Sequence, residues 1–143
     1  MDGSLDPARL RGLALATLFP GFAGTTAPPP WLAGLIREGL GGVVLFGRNV
    51  DPRRGDEGVS ALTERLRSER DDLLVAIDEE GGDVTRLDAT TGSDLPGSAA
   101  LGAVDDPALT RQVAASLGAR LRACGLDVNF APVADVAYKP NSY

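Results

Sequence analysis

Two short runs constrain this chain more than anything else in it. Gly41 to Phe46 (GGVVLF) and Leu73 to Ile77 (LLVAI) carry no polar side chain at any position. A strand with one wet face alternates apolar with polar, whereas an uninterrupted apolar run reads as a strand covered on both faces, the condition of a parallel sheet. Parallel strands need long crossovers, so helices are expected between them.

The intervening segments supply those helices. Pro30 suits a first helical turn, Trp31/Leu35 and Leu32/Ile36 stand four apart, and Gly39 follows as a stop. Val59, Leu62 and Leu66 mark one face of a helix running to about Arg70. Asp106-Pro107 reads as an N-cap followed by the first helical position; Leu109, Val113, Leu117 and Leu121 then recur every four residues. Arg120 and Arg122 sit in the last turn, where the helix dipole favours them, and Gly125 ends the helix.

Arg11 to Phe19 (RGLALATLF) is apolar and stops at Pro20-Gly21, which suits a first buried strand, although Leu and Ala would also suit a helix. Leu126 to Ala131 (LDVNFA) alternates. In a barrel, Leu126, Val128 and Phe130 are expected to face surrounding helices, and Asp127 and Asn129 the interior. About four strands alternating with about three helices is the grammar of an α/β parallel sheet. A closed (β/α)8 TIM-type barrel takes roughly 250 residues, and this chain has 143. It can supply the first half of such a barrel or, equally, a small doubly wound sheet.

The chemistry concentrates where the second apolar run stops. Asp78, Glu79 and Glu80 meet a glycine pair, Gly81-Gly82, so the chain leaves the strand through a turn that glycine accepts cheaply. The carboxyl ends of parallel strands are where ligands sit. A solvated acidic loop and a binding site both fit these residue types. Asp78 shares the strand's alternation with Leu74 and Ala76, whereas Glu79 is expected to turn outward. The loop runs on through Thr85, Arg86 and Leu95-Pro96-Gly97, long for a βα connection.

Composition removes several classes of function. With no histidine, the chain cannot build a Ser-His-Asp triad, a Cys-His dyad or a His-ligated zinc site by itself. A net charge of −6 and no dense basic run argue against nucleic acid as a partner. No cofactor is called for. Asp78, Glu80 and Asp83 around Mg²⁺ lack the spacing of a calcium-hand loop. Single Cys124 excludes an internal disulfide and reads as a small buried residue. No apolar stretch is long enough to cross a bilayer, and the start MDGSLDPARL lacks a basic leader region, so cytoplasmic residence is expected.

Four segments together resemble a known family. LGGVVLFGRNV (Leu40 to Val50), VAIDEEGGDVTRL (Val75 to Leu87), LPGSAALG (Leu95 to Gly102) and LDVNFAPVADV (Leu126 to Val136) are similar, in order and distance, to the first half of the catalytic barrel of family 3 glycoside hydrolases, in the branch of bacterial β-N-acetylglucosaminidases. The resemblance implies that residues 1–143 are a partial catalytic-barrel domain, truncated at its carboxyl end. It also implies a carbohydrate partner bearing β-linked N-acetylglucosamine, and retaining hydrolysis as the family's reaction. Asp78 matches the aspartate that accepts hydrogen bonds from hydroxyls of the non-reducing sugar, and Arg86 matches the arginine that reaches the sugar or braces that aspartate. Physically, a carboxylate can accept from two neighbouring hydroxyls while a guanidinium holds it in place. Arg48 and Asn49 are expected to hold the loop after their strand, and Asp135 to brace a loop.

Two departures stand out. Glu79 and Asp83 occupy positions where many relatives carry Gln and Arg. The family's later elements, a Lys-His pair, a mobile-loop histidine acting as acid/base and an aspartate nucleophile, have no counterpart here, so no catalytic residue is assigned. The alternative is a non-catalytic sugar-binding half-barrel that pairs through its open edge with itself or with a separate carboxyl-terminal half.

Overall fold

The computed structural model describes residues 6–136. Helix α1 (Pro7–Ala16) is followed by α2 (Pro30–Arg37), strand β1 (Gly42–Leu45) and a 3₁₀ turn (Gly47–Asn49). Then come α3 (Gly55–Arg67), β2 (Leu74–Ile77), α4 (Ser98–Val104), α5 (Pro107–Ala123) and β3 (Val128–Asn129). The strands form one parallel sheet in the order β1-β2-β3, with Gly42 opposite Leu74, Leu45 opposite Ile77, and Ile77 opposite Asn129. Parallel neighbours joined by intervening helices are the architecture expected from the two apolar runs.

The core lies between the sheet and the helices. Val43, Leu45, Val75 and Ile77, alternate residues of β1 and β2, pack with Leu32 and Ile36 of α2 and Val59, Leu62 and Leu66 of α3. All nine are fully buried. Burying each such side chain contributes about 1.5–3 kcal/mol, and the helical ones, Leu32, Ile36, Val59, Leu62 and Leu66, lie on the faces that their spacing marked. On the other sheet face Val44 and Ala76 are buried as well, and only Leu74, at the start of β2, is 42% exposed.

The amino-terminal segment departs from expectation. Residues 11–16 belong to α1, not to a strand, with Pro7 in the first turn. The sheet is reached only after Pro20, where Gly21 makes a single parallel bridge to Val44. An Ala/Leu run has high helix propensity, and only Leu15 of α1 is buried. Among the described residues there are therefore three strands, with the Gly21 bridge in place of a fourth, and five α-helices in place of three. The additional helices are α1 and the seven-residue α4, which has no side-chain N-cap.

Helix α5 starts as its sequence indicates: one Asp106 carboxylate oxygen accepts the Ala108 N–H at 2.8 Å and the Leu109 N–H at 3.2 Å. Only its carboxyl end is buried, through Leu121. Strand β3 also differs from its pattern. Phe130 is 51% exposed and does not pack on helices. Asp127 does not face a barrel interior: its Oδ2 accepts the Val75 N–H at 2.8 Å and Arg67 Nη2 at 2.6 Å, at the edge where α3 ends. With three strands there is no closed interior for it to face. No helix among the described residues is long and apolar enough to cross a membrane.

Candidate functional site at the carboxyl end of the second strand

The sequence places Asp78 one residue beyond β2, and alternation carries it to the face of Ala76, away from the helices. Arg86 Nη2 donates to Asp78 Oδ2 at 2.6 Å, with both side chains a little under a third exposed. The other Asp78 oxygen takes no donor from the described residues. The two residues singled out by sequence are thus brought together as an ion pair.

Glu79 corrects the expectation. It does not turn outward but is fully buried. Its Oε2 accepts the backbone N–H groups of Arg86 at 2.7 Å and Leu87 at 3.0 Å. Its own backbone N–H donates to Asn129 Oδ1 at 3.0 Å, and its carbonyl accepts Asn129 Nδ2 at 2.8 Å. Continuing the alternation of Val75 and Ile77 would have pointed to the buried side; what sequence could not supply was the chain that closes over it.

The glycine pair makes that closure. Gly81 and Gly82 both have positive φ, 83° and 59°, which L side chains adopt at a cost. A Cβ on Gly82 would lie 2.9 Å from the Gly97 nitrogen, so the 95–97 segment rests directly on the turn. Gly82 N–H donates to the Leu95 carbonyl at 2.8 Å and Glu80 N–H to that of Val84 at 3.0 Å. The described residues gather no group of three metal-ligating side chains.

A second network, unmarked in the sequence, holds the loop from outside. Arg120 of α5 takes Asp56 with Nε and Nη2, both at 2.8 Å, and Asp88 with Nη1 at 2.5 Å and Nη2 at 2.8 Å. These hydrogen bonds hold the Asp88 carboxyl below its usual value and raise that of Arg120. Arg48 and Asn49 do hold their loop. Arg48 Nε donates to the Phe22 carbonyl at 2.8 Å, and buried Asn49 donates to the carbonyls of Phe22 and Gly24 while accepting the Phe46 N–H. Asp135 is exposed. Burial pushes the Cys124 thiol up to about 11.

A concavity of about 660 Å³ lies beside this loop, between α4, α5 and the end of β3. Leu101, Val113, Leu117 and Pro132 line it, with Glu80 and Asn129 on its wall. Asp78 and Arg86 do not line it. They lie, each a little under a third exposed, at the carboxyl end of the sheet face that carries Val44 and Ala76.

A parallel sheet backed by helices, with a paired carboxylate at a strand's carboxyl end, defines an α/β chain of the (β/α)-barrel class. More specifically, the chain belongs to the glycosyl hydrolase family 3 N-terminal domain family, whose profile matches residues 32–142. It is 41% identical over 106 residues to a β-hexosaminidase of Bordetella avium, covering 69% of this chain and 29% of that protein. A β-hexosaminidase of Nitrosomonas eutropha is 37% identical over 135 residues, 90% of this chain and 38% of the relative. Among solved structures, a family 3 β-N-acetylglucosaminidase from Paenibacillus superposes with a TM-score of 0.74 at 34% identity, covering 90% of this chain and 24% of that one. NagZ from Neisseria gonorrhoeae superposes with a TM-score of 0.72 at 28% identity, over 85% and 36%. The chain therefore spans well under half the length of the relatives it matches.

Proposed function

We propose that this chain supplies the sugar-recognition part of a glycoside hydrolase acting on β-linked N-acetylglucosamine or related β-glycosides. The observation that carries the reading is the Asp78–Arg86 pair, in which one carboxylate oxygen is fixed at 2.6 Å by the guanidinium and the other has no donor among the described residues. A carboxylate so anchored accepts from hydroxyls of a non-reducing sugar, and the arginine holds its orientation. The names of the relatives support the substrate class.

Residues 1–143 act in this reading as part of a family 3 catalytic barrel, in the cytoplasm, in carbohydrate metabolism. Retaining hydrolysis needs two catalytic groups about 5–5.5 Å apart across the glycosidic bond. With no histidine in the chain, Asp78 recognises sugar and no residue is assigned to bond cleavage. Calorimetric titration with N-acetylglucosamine tests recognition: binding that Asp78→Asn and Arg86→Met each weaken at least tenfold is expected, and no binding by the unaltered chain overturns it. Turnover of an aryl β-N-acetylglucosaminide by this chain at an enzyme-like rate overturns the division of labour.

A second reading is favoured by the apolar groove and by Leu109, Phe130, Val133 and Val136, all exposed along α5 and beyond β3. A half-barrel with that face pairs with itself or with a separate carboxyl-terminal half. Sedimentation showing a monodisperse, folded monomer at all concentrations removes self-pairing.

A further inference from the structure

We propose that Glu79 is the positioning residue of the sugar site, setting the Asp78–Arg86 pair from beneath; the inference rests on the recognition reading above. Asp78 is its chain neighbour, and Arg86 is tied to it by the 2.7 Å bond from the Arg86 N–H. One buried side chain therefore fixes the backbone at both ends of the pair. Asn129 completes the arrangement by holding Glu79's own N–H and carbonyl from β3, in place of the ladder bonds that end with the strand.

A structural role alone accounts poorly for this residue. A carboxylate taken fully out of water is costly unless every oxygen is satisfied, and here Oε1 has no partner among the described residues. Arg86 Nε is likewise buried and unpartnered. Simple filling of the space under the loop is done better by an apolar side chain. What an apolar side chain cannot do is accept the Arg86 and Leu87 N–H groups, which set where the guanidinium emerges relative to Asp78. The requirement is an acceptor oxygen at this point, not a charge, so a glutamine serves and an alanine does not.

The test uses the intact chain with N-acetylglucosamine as probe, comparing Glu79→Ala, Glu79→Gln and Asn129→Ala by calorimetry. Amide hydrogen exchange at Arg86 and Leu87, exchange of the Arg86 Nε–H, and thermal melts are measured in parallel. Glu79→Ala is expected to weaken sugar binding at least tenfold and to speed exchange at both amides. Glu79→Gln is expected to bind within threefold of the unaltered chain, and Asn129→Ala to lose three- to tenfold while remaining folded. A folded Glu79→Ala chain that binds normally overturns the proposal. So does a Glu79→Gln chain as impaired as the alanine variant, or an Asn129→Ala chain with unchanged binding and exchange. If the unaltered chain binds no sugar, the recognition reading fails. The positioning claim is then decided by exchange at Arg86 alone: it fails where Glu79→Ala and Asn129→Ala leave that exchange unchanged.

Discussion

Replacing Arg120 with Met separates an ion-pair network from mere packing. Methionine keeps an unbranched apolar stem but removes the guanidinium, and with it four N–H···O contacts of 2.5–2.8 Å to Asp56 and Asp88. Exposed pairs contribute about 0.2–1 kcal/mol, whereas breaking a buried one costs about 3–5 kcal/mol. The Asp88, Arg120 and Asp56 side chains are 19%, 30% and 43% exposed, so the loss falls between those limits, at about 2 kcal/mol after allowance for solvent screening. For a chain of this size that is a fall of roughly 6–10 °C in Tm.

The pH dependence gives the experiment its edge. Asp88 has its carboxyl held below 3.8 chiefly by its hydrogen bonds to Arg120. A group with a depressed folded value contributes stability that is present above its unfolded pKa and lost as pH falls through the folded one. Urea melts of the unaltered and Arg120→Met chains are therefore expected to differ by a constant amount from pH 7 to about pH 5, and to converge below about pH 4. A difference under about 0.5 kcal/mol at pH 7, or one that is undiminished at pH 3, refutes the electrostatic account.

Three further outcomes are expected. Gly125 has φ of 75°, and a Cβ there would lie 2.5 Å from Thr63 Oγ1; Gly125→Ala should cost at least about 1 kcal/mol in urea melts, and an unchanged midpoint refutes this. Asn49 is 1% exposed and donates to two carbonyls; Asn49→Asp, which keeps an acceptor but not those donors, should destabilise as much as Asn49→Ala, about 2 kcal/mol by thermal denaturation. Cys124 is 1% exposed and its thiol is pushed up to about 11; at pH 8 a disulfide reagent should label it only at the rate of unfolding, and prompt labelling of the native chain counts against its burial.

The elements that were legible in sequence carry their cause locally. Strands β1 and β2 are apolar because all but one of their residues are buried, α2, α3 and α5 announce themselves by spacing, and α2 and α5 also by Pro at their starts. The first segment misled because Leu and Ala satisfy a buried strand and a helix equally, and the choice depends on where the sheet is joined, at Gly21. Asp78 and Arg86 were legible as a pair through their motif. Glu79 was not, because its carboxylate is met by the Arg86 and Leu87 N–H groups and its backbone by Asn129, fifty residues along the chain, contacts that only the fold assembles. The Arg120 network had no signal at all: Asp56, Asp88 and Arg120 lie on separate elements, and only the packed fold brings them within 2.8 Å.

These contacts also fix how much chain the Asp78–Arg86 pair depends on. The connection from Asp78 to Gly97 is acidic and glycine-bearing, and a loop of that length would ordinarily sample many conformations. It is held instead from three directions: from within by the Glu79 carboxylate, from β3 by Asn129, and from α5 and α3 by Arg120 and Asp56. Rigid placement of recognition groups limits the entropy lost on binding. Two of the three restraints come from elements that follow the loop in sequence. The smallest unit able to present Asp78 and Arg86 in this geometry therefore runs from β1 through Asn129, and cutting the chain before α5 would leave the motif intact as sequence but without the contacts that shape it.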